Sequence, residues 1–375
     1  MTNSRQSVLI VQPYVPKYRE AFFSSLVHLL NKEGIDCRVA AASPMQAQAE
    51  RGDAVEAEWI VPYTPRQLHV AGRTVGLGGA RPLWHQDDAV IVGHLGSSLD
   101  TYLAIYDAAR SRIKVGVWGH IKSYVNDGNP VDLALERWQL RRSNHVFAYT
   151  PRGRDYALVA GVAPSRITTV MNTTDTSLLE TARNSVSASQ EQAFITAHNL
   201  TRGRTLGYIG GLDSSKRLEF LAAALDRIWQ SDPDVKLIVG GRGSDAHHLD
   251  AARSRGQAVM IGYASVEDQV LIGNVASGLL MPGRIGLIAV DALVLGIPIL
   301  TTNWPYHAPE HEYLRESVSR FTSADDVSSY ASLIHEFLAA KPRAPGPRGA
   351  AQRKFPTLDA MVENFASGTR RLLGH

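Results

Sequence analysis

The chain of 375 residues is predicted to be an α/β protein made of two tandem, doubly wound Rossmann-like domains. Three observations predict this. Short β-branched runs alternate with helical stretches along the first half. The alternation pauses between Thr181 and Gly203, where Ser, Asn, Gln and Thr dominate. It then restarts and runs on to a C-terminal helix. Strands interleaved with helices run parallel and are covered on both faces. The expected divisions are an N-terminal domain over 1–180, a connection over 181–203 with at most one short helix, a C-terminal domain over 204–355 and a terminal helix over 356–375. A ligand site is expected between the domains, outside the carboxyl ends of the strands.

"SVLIVQP" opens the chain as a strand. The helix after it sets Phe22, Leu26, Leu29 and Leu30 on one face and stops at Gly34. "CRVAAA", "DAVIVGH", "KVGVWGH", "HVFAYT" and "ITTVMN" continue as strands, with helices over Tyr102–Arg110 and Val131–Arg142. Past the pause, "RTLGYIGGL" is a strand. "KRLEFLAAALDRIW" is a helix with Leu218, Leu221, Ala222, Leu225, Ile228 and Trp229 inward. "VKLIVGG", "AVMIGY", "GLLMP" and "IPILTT" are strands, and "TLDAMVENFASGTRRLL" is the terminal helix. The prolines and glycines of "KPRAPGPRGA" require a loop.

A composition of 44% hydrophobic and 20% charged residues belongs to a soluble globular protein able to bury its cores without disulfides or metals. The single cysteine, Cys37, excludes an intramolecular disulfide and fits a cytoplasmic location. Its strand context reads as a buried, inert thiol. A formal charge of +3 is too mild to argue for nucleic acid. Two basic clusters, "RSRIK" from Arg110 and "ERWQLRR" from Glu136, are either solvated helix faces or a patch touching anionic lipid. The N-terminus has too short an apolar run for a secretory signal, and Leu287–Leu300 is too short to span a membrane.

Within "MPGRIGLIAVDALVLGIPIL" a strand ends, "GRIG" turns the chain and a helix is expected to start near Ile285. The free N–H groups of Ile285, Gly286 and Leu287, with the helix dipole and Arg284, would make a phosphate site. Gly283 and Gly286 leave room for close backbone approach. Asp291 lies more than a turn further on. A carboxylate buried there needs hydrogen bonds, which ligand hydroxyls would supply. The alternative is an Asp that faces solvent or pairs with nearby backbone.

This stretch, with "GIPILTT" after it, resembles the donor-binding stretch of retaining family 4 glycosyltransferases (glycosyl transferases group 1, GT-B fold). Four other segments match in the same order. "VLIVQPYVPKYREAFF" looks like the first strand and acceptor loop. "VGVWGHIKS" looks like the strand ending in histidine. "ITTVMNTTDTSLL" is similar to the segment before the interdomain crossing. "GYIGGLDSSKRLEFLAAA" is similar to the phosphate segment. The resemblance implies two Rossmann-like domains facing each other across a cleft, with the terminal helix returning to the N-terminal domain. It implies hexosyl-type transfer from a nucleotide-sugar to a hydroxyl, with retention and without a metal or other cofactor. A UDP- or GDP-linked donor fits equally, and the acceptor would be a glycolipid, polysaccharide or other glycan precursor.

By the same resemblance, Lys216 neutralises the diphosphate, with Gly210 and Gly211 just before it, and Asp291 holds the ribose. His120 contacts the donor sugar as a catalytic residue beside Lys216. Tyr14, Tyr18 and Arg19 face the acceptor. In "VGGRGSD", Gly241, Arg242 and Gly243 either line the nucleotide pocket or form a plain turn. Two departures stand out. The family's phosphate arginine is Gly211 here, so Arg284 or Arg217 would substitute. Its first, sugar-linked glutamate is Gly283, which offers no carboxylate. These departures keep a non-catalytic scaffold open as an alternative, and a nucleotide-sugar 2-epimerase is a further one. "HAPEH" over 307–311 fits a zinc-protease spacing, but Pro309 would break the aligning helix. "GLGGA" from Gly76 reads as a flexible loop.

Overall fold

The structure is a computed structural model that describes residues 5–43, 55–64, 66–70, 73–122, 130–340 and 355–375. The segment "KPRAPGPRGA" lies outside them. The chain divides into two compact units. One joins Met1–Asp175 to Pro356–His375, and the other is Thr176–Phe355.

The first unit runs β1 (Ser7–Gln12), α1 (Glu20–Lys32), β2 (Asp36–Ala42), β3 (Ile60–Tyr63), β4 (Arg66–Val70) and β5 (Arg73–Gly78). It continues with β6 (Ala89–Gly93), α2 (Leu99–Arg110), β7 (Lys114–Gly119), α3 (Pro130–Arg142), β8 (His145–Ala148), α4 (Pro151–Val159) and β9 (Ile167–Thr169). Its sheet has the order β3-β2-β1-β6-β7-β8-β9, and every pairing is parallel. β4 and β5 form a separate antiparallel hairpin, so the expected loop around Gly76 is partly strand. Val8, Leu9 and Ile10 are wholly buried because helices cover both faces of β1. Cys37 is buried in β2, and burial pushes its thiol up to about 12.

The second unit runs α5 (Ser177–Ser185), α6 (Ala188–Ala197), β10 (Thr205–Ile209), α7 (Leu218–Ser231), β11 (Lys236–Gly240), α8 (Asp250–Ser254) and β12 (Ala258–Gly262). After these come α9 (Val266–Val275), β13 (Leu279–Leu280), α10 (Ile288–Leu295), β14 (Ile299–Thr302), β15 (Arg320–Ser323) and α11 (Val327–Ala339). The sheet order β12-β11-β10-β13-β14-β15 is again wholly parallel. In α7, Leu218, Leu221, Leu225 and Ile228 enter the core as expected. Ala224 joins them, while Ala222 and Trp229 stay half-buried. Each fully buried leucine or isoleucine there contributes roughly 1.5–3 kcal/mol.

The segment 181–203 departs from the simple connection expected. It carries the end of α5 and all of α6, within the second unit. The polar residues that resemble a linker are the caps of α6. The Ser187 and Gln190 side chains close a capping box. Phe194, Ile195 and Leu200 are buried in the unit's core.

The terminal helix α12 (Leu358–Leu373) belongs to the first unit. Met361, Phe365 and Ala366 are fully buried. The Phe365 ring stacks on Phe147 with centroids 4.6 Å apart and meets Trp118 edge-on at 5.0 Å. A Cβ on Gly368 would lie 2.5 Å from the Phe147 ring, so glycine lets the helix approach this closely.

Candidate functional site

In an open parallel sheet the strand order reverses at one place, leaving a crevice at the carboxyl ends. In the second unit this lies between β10 and β13, and a cavity of about 460 Å³ occupies it. Ile209, Gly210 and Gly211 enter from the end of β10, Gly241 and Arg242 from β11, and Tyr263 and Ala264 from β12. Gly286, Leu287 and Asp291 close it from the α10 side, with Lys216 beside them. Eight residues singled out in the sequence therefore meet here: Gly210, Gly211, Lys216, Gly241, Arg242, Gly286, Leu287 and Asp291. Gly283, Arg284 and Ile285 do not line it.

Gly283 has a steric reason. A Cβ there would lie 2.4 Å from the carbonyl carbon of Lys216 and 2.6 Å from the Ser215 oxygen. The two backbones are in direct contact, and no side chain of any kind fits between them. The Arg284 N–H donates to Ser215 O at 2.8 Å, and Lys216 Nζ donates to Arg284 O at 2.7 Å. The phosphate-type segment and the turn before α10 are thus clamped into one piece. Burial holds the Lys216 ammonium below its usual range, and two of its three N–H donors remain to be directed elsewhere.

Two cations considered as substitutes for the missing arginine are engaged in structure. The Arg284 guanidinium donates to Tyr306 O at 3.0 Å. Arg217 pairs with Asp325 at 2.5 Å and lies over the Phe220 and Trp304 rings. Arg242 is the arginine that borders the cavity.

The helix α10 starts at Ile288, not near Ile285 as the sequence reading expects. Ile285 is buried, and its N–H donates to His307 Nδ1 at 3.3 Å. That fixes the imidazole tautomer. Nδ1 accepts, so Nε2 carries the proton and donates to Thr302 O at 3.2 Å. Burial pushes His307 down to about 4, which keeps the ring neutral. Pro309–Tyr313 forms a short 3-10 turn, which ends the zinc-helix idea on geometry. The free amides move forward by one residue. Gly286, Leu287 and Ile288 donate to no protein acceptor among the described residues, and they open the helix beside the cavity. Together with Lys216 they form a positive pole for an anion.

Asp291 sits in the first turn of α10 with its carboxylate toward that cavity. Among the described residues it accepts no hydrogen bond. The surrounding protein withholds bulk water and pushes its carboxyl up to about 7. Asp291 is half-buried, between the solvent-facing and the backbone-paired alternatives.

The first unit has its own cavity, about 390 Å³, at the corresponding strand ends. Gln12 follows from β1, His94 from β6 and His120 from β7, and Asp100 and Glu136 reach it from α2 and α3. Burial pushes His94 down to about 4 and raises the carboxyls of Asp100 and Glu136. Glu136 Oε2 and Trp118 Nε1 are buried without a hydrogen-bond partner among the described residues. The His120 ring meets Tyr149 edge-on at 4.8 Å.

Tyr14, Tyr18 and Arg19 stand outside this lining. Tyr18 is exposed. Arg19 is buried, donates to Asn172 Oδ1 at 2.6 Å and is enclosed by the Tyr18, Phe22, Trp118 and Tyr149 rings. That cage makes Arg19 a packing element of the unit. The sequence reading did not single out Tyr263 and Gln269 in one cavity, or His94, Asp100 and Glu136 in the other. Tyr263 ends "AVMIGY" and His94 ends "DAVIVGH", so position at a strand's carboxyl end was the usable signal.

Residues 203–340 match the family model described as Glycosyl transferases group 1. No curated protein matches the chain by sequence. Solved structures share its architecture over almost the full length, which establishes the GT-B fold. HepE from Anabaena, in complex with UDP, has a TM-score of 0.67 at 14% identity, covering 98% of this chain and 100% of its own. Sucrose-phosphate synthase from Thermosynechococcus elongatus has a TM-score of 0.67 at 14% identity, with 98% and 99% covered. The UDP-GlcNAc 2-epimerase of Methanocaldococcus jannaschii has a TM-score of 0.55 at 14% identity, with 97% and 99% covered.

Proposed function

We propose that the chain is a retaining glycosyltransferase that moves a sugar from a nucleotide-sugar to a hydroxyl acceptor. One observation carries the reading: three open amides, the Lys216 ammonium and an unpartnered Asp291 converge on a single cavity. The amides and Lys216 suit a diphosphate, and Asp291 suits a vicinal ribose diol one turn further along α10. Tyr263, exposed at the cavity rim, supplies a face on which a base can stack. HepE, a structural relative, is seen with UDP, and this favours a uridine donor.

In the reaction the bond between the anomeric carbon and the leaving phosphate oxygen breaks. The acceptor oxygen bonds to the same face of that carbon, and its proton passes to the departing phosphate. The protein orients both partners and stabilises the charge gathering on the diphosphate, the part assigned to Lys216 and the α10 amides. In the first unit, Glu136 Oε2 and Trp118 Nε1 would gain partners from a hydroxylated acceptor, and His120 lies in the same lining. A lipid-linked or polysaccharide precursor supplies such hydroxyls.

A second reading, 2-epimerisation of the nucleotide-sugar, is favoured by the likeness to a 2-epimerase. Incubation with donor alone separates the two, because an epimerase converts it without an acceptor. The primary test is a thermal-shift series with UDP- and GDP-sugars, followed by turnover of the stabilising donor with an acceptor panel. A donor that binds Lys216→Ala as well as wild type would overturn the assignment of the anion site.

A further inference from the structure

Arg217 holds a backbone conformation that an arginine rarely adopts. Its φ and ψ are 56° and 50°, the left-handed region in which a Cβ crowds the following carbonyl. The residue joins two helical segments. Before it, Asp213 caps the short 3-10 turn Ser214–Lys216, accepting from the Ser215 N–H at 3.0 Å. After it, α7 begins at Leu218, and the Leu221 N–H donates to Arg217 O at 3.1 Å. The left-handed step therefore turns the chain directly after Lys216.

Strain of this kind persists only where the surrounding contacts over-determine it, and it gathers at functional sites. Here the Arg217 guanidinium supplies those contacts. It pairs with Asp325 at 2.5 Å, donates to Pro282 O at 3.3 Å and lies 4.4 Å from the centre of the Phe220 ring. Asp325 is fixed in turn by the Thr302 hydroxyl, which donates to its Oδ1 at 2.8 Å. The carboxyl ends of β10, β13, β14 and β15 thus converge on one guanidinium. Pro282 directly precedes Gly283, whose backbone touches that of Lys216. The tie to Pro282 therefore flanks the contact that carries Lys216. Lys216 lines the 460 Å³ cavity, and Arg217 does not.

We propose that Arg217 is a positioning residue: its ion pair with Asp325 holds the left-handed turn that aims the Lys216 ammonium at a bound diphosphate. The arginine acts through the backbone and does not touch the ligand. Glycine takes the same φ without strain, so glycine at this position can keep the turn without the ion pair. Alanine keeps the strain and loses the contacts that offset it. The assignment rests on the reading of Lys216 as a ligand of the donor diphosphate.

The test is titration calorimetry of the full chain with UDP and GDP, each compared with its own nucleoside. The wild type should bind one diphosphate more tightly than its nucleoside, and Lys216→Ala should erase that margin. Arg217→Ala and Asp325→Ala should each cut the margin about tenfold, as expected when a charge-assisted contact to the ligand is lost, and leave nucleoside affinity unchanged. Asp325→Ala carries the test where Arg217→Ala does not fold. Arg217→Gly should restore diphosphate affinity to within about threefold of wild type. On the Lys216→Ala background, Arg217→Ala should cost nothing further, because both act through one contact. Arg217→Gly as weak as Arg217→Ala would overturn the proposal in favour of a direct contact between guanidinium and phosphate. Undiminished diphosphate affinity in Arg217→Ala or Asp325→Ala overturns it too, as does an additive loss on the Lys216→Ala background or an equal loss of nucleoside affinity. A wild type without the margin, or a Lys216→Ala chain that keeps it, removes the diphosphate site itself, and the Arg217 assignment falls with it.

Discussion

The contact at Gly283 allows a sharp experiment. In Gly283→Ala the new Cβ would start 2.4 Å from the Lys216 carbonyl carbon, where ordinary carbon contact begins near 3.5 Å. The two segments must separate by about 1 Å. Overpacking of this kind costs about 1–3 kcal/mol. The same movement breaks the Arg284 N–H bond to Ser215 and the Lys216 Nζ bond to Arg284, each worth about 1 kcal/mol. The expected destabilisation is therefore about 3–5 kcal/mol. For a unit of this size it lowers the melting temperature by about 6–20 °C. Donor binding should weaken as well, because Lys216 moves. Gly286→Ala is the control, since its Cβ would meet only Ala308 at 3.8 Å, an ordinary contact. Differential scanning calorimetry of both variants decides the matter. A Gly283→Ala protein melting within 2 °C of wild type would refute the steric account.

The other predictions are more compact. The raised Asp291 value means that the native state keeps a proton which the unfolded chain releases. Stability from this group is therefore lost as pH rises from about 4 to about 7, by about 4 kcal/mol in all. Asp291→Asn should remove that loss in the ligand-free protein while weakening donor binding at pH 8. Equal melting shifts at pH 5 and pH 8 would contradict this. Lys216→Ala should lower turnover by about a hundredfold or more with the fold intact, measured as kcat at saturating donor. His94, His145 and His307 are each pushed down to about 4, so their imidazole NMR signals should not titrate above pH 5. Because their folded values lie below the unfolded one, they cost stability as pH falls from about 6.5 toward 4. Arg19→Ala should destabilise the first unit by about 3 kcal/mol through its lost packing and cation–π contacts, as seen in chemical denaturation.

Much of the fold was legible because parallel sheets demand continuous apolar runs, and those runs stand out in sequence. β1, β6, β7, β10 and β11 fall where the β-branched stretches do. What was not legible depends on partners distant in the chain. The helix α6 looks like linker because its caps are polar and its short buried side contains only Phe194 and Ile195. The start of α10 slips to Ile288 because His307, distant in sequence, takes the Ile285 amide. Of the site, the cavity-lining glycines, Lys216 and Asp291 could be read from motif order. The directions of Arg284, Arg217 and Arg19 could not, since each is set by a carbonyl, an acid or a ring from another element.

The bare backbone at Gly283 and the placement of Lys216 are linked in space. At position 283 a carboxylate is excluded because the backbone of Ser215 and Lys216 occupies its volume. The same contact anchors Lys216, whose ammonium reaches across to Arg284 O. The absence of a side chain at Gly283 is therefore the structural condition for holding Lys216 firmly. A merely degenerate site would be expected to lose Lys216, Asp291 and the open amides together. Here all three face one cavity. Under the proposed function, the sugar would be recognised by groups outside the Gly283 turn. A Gly283→Glu variant consequently should not gain donor affinity, and tighter donor binding by that variant would break the argument at its central contact.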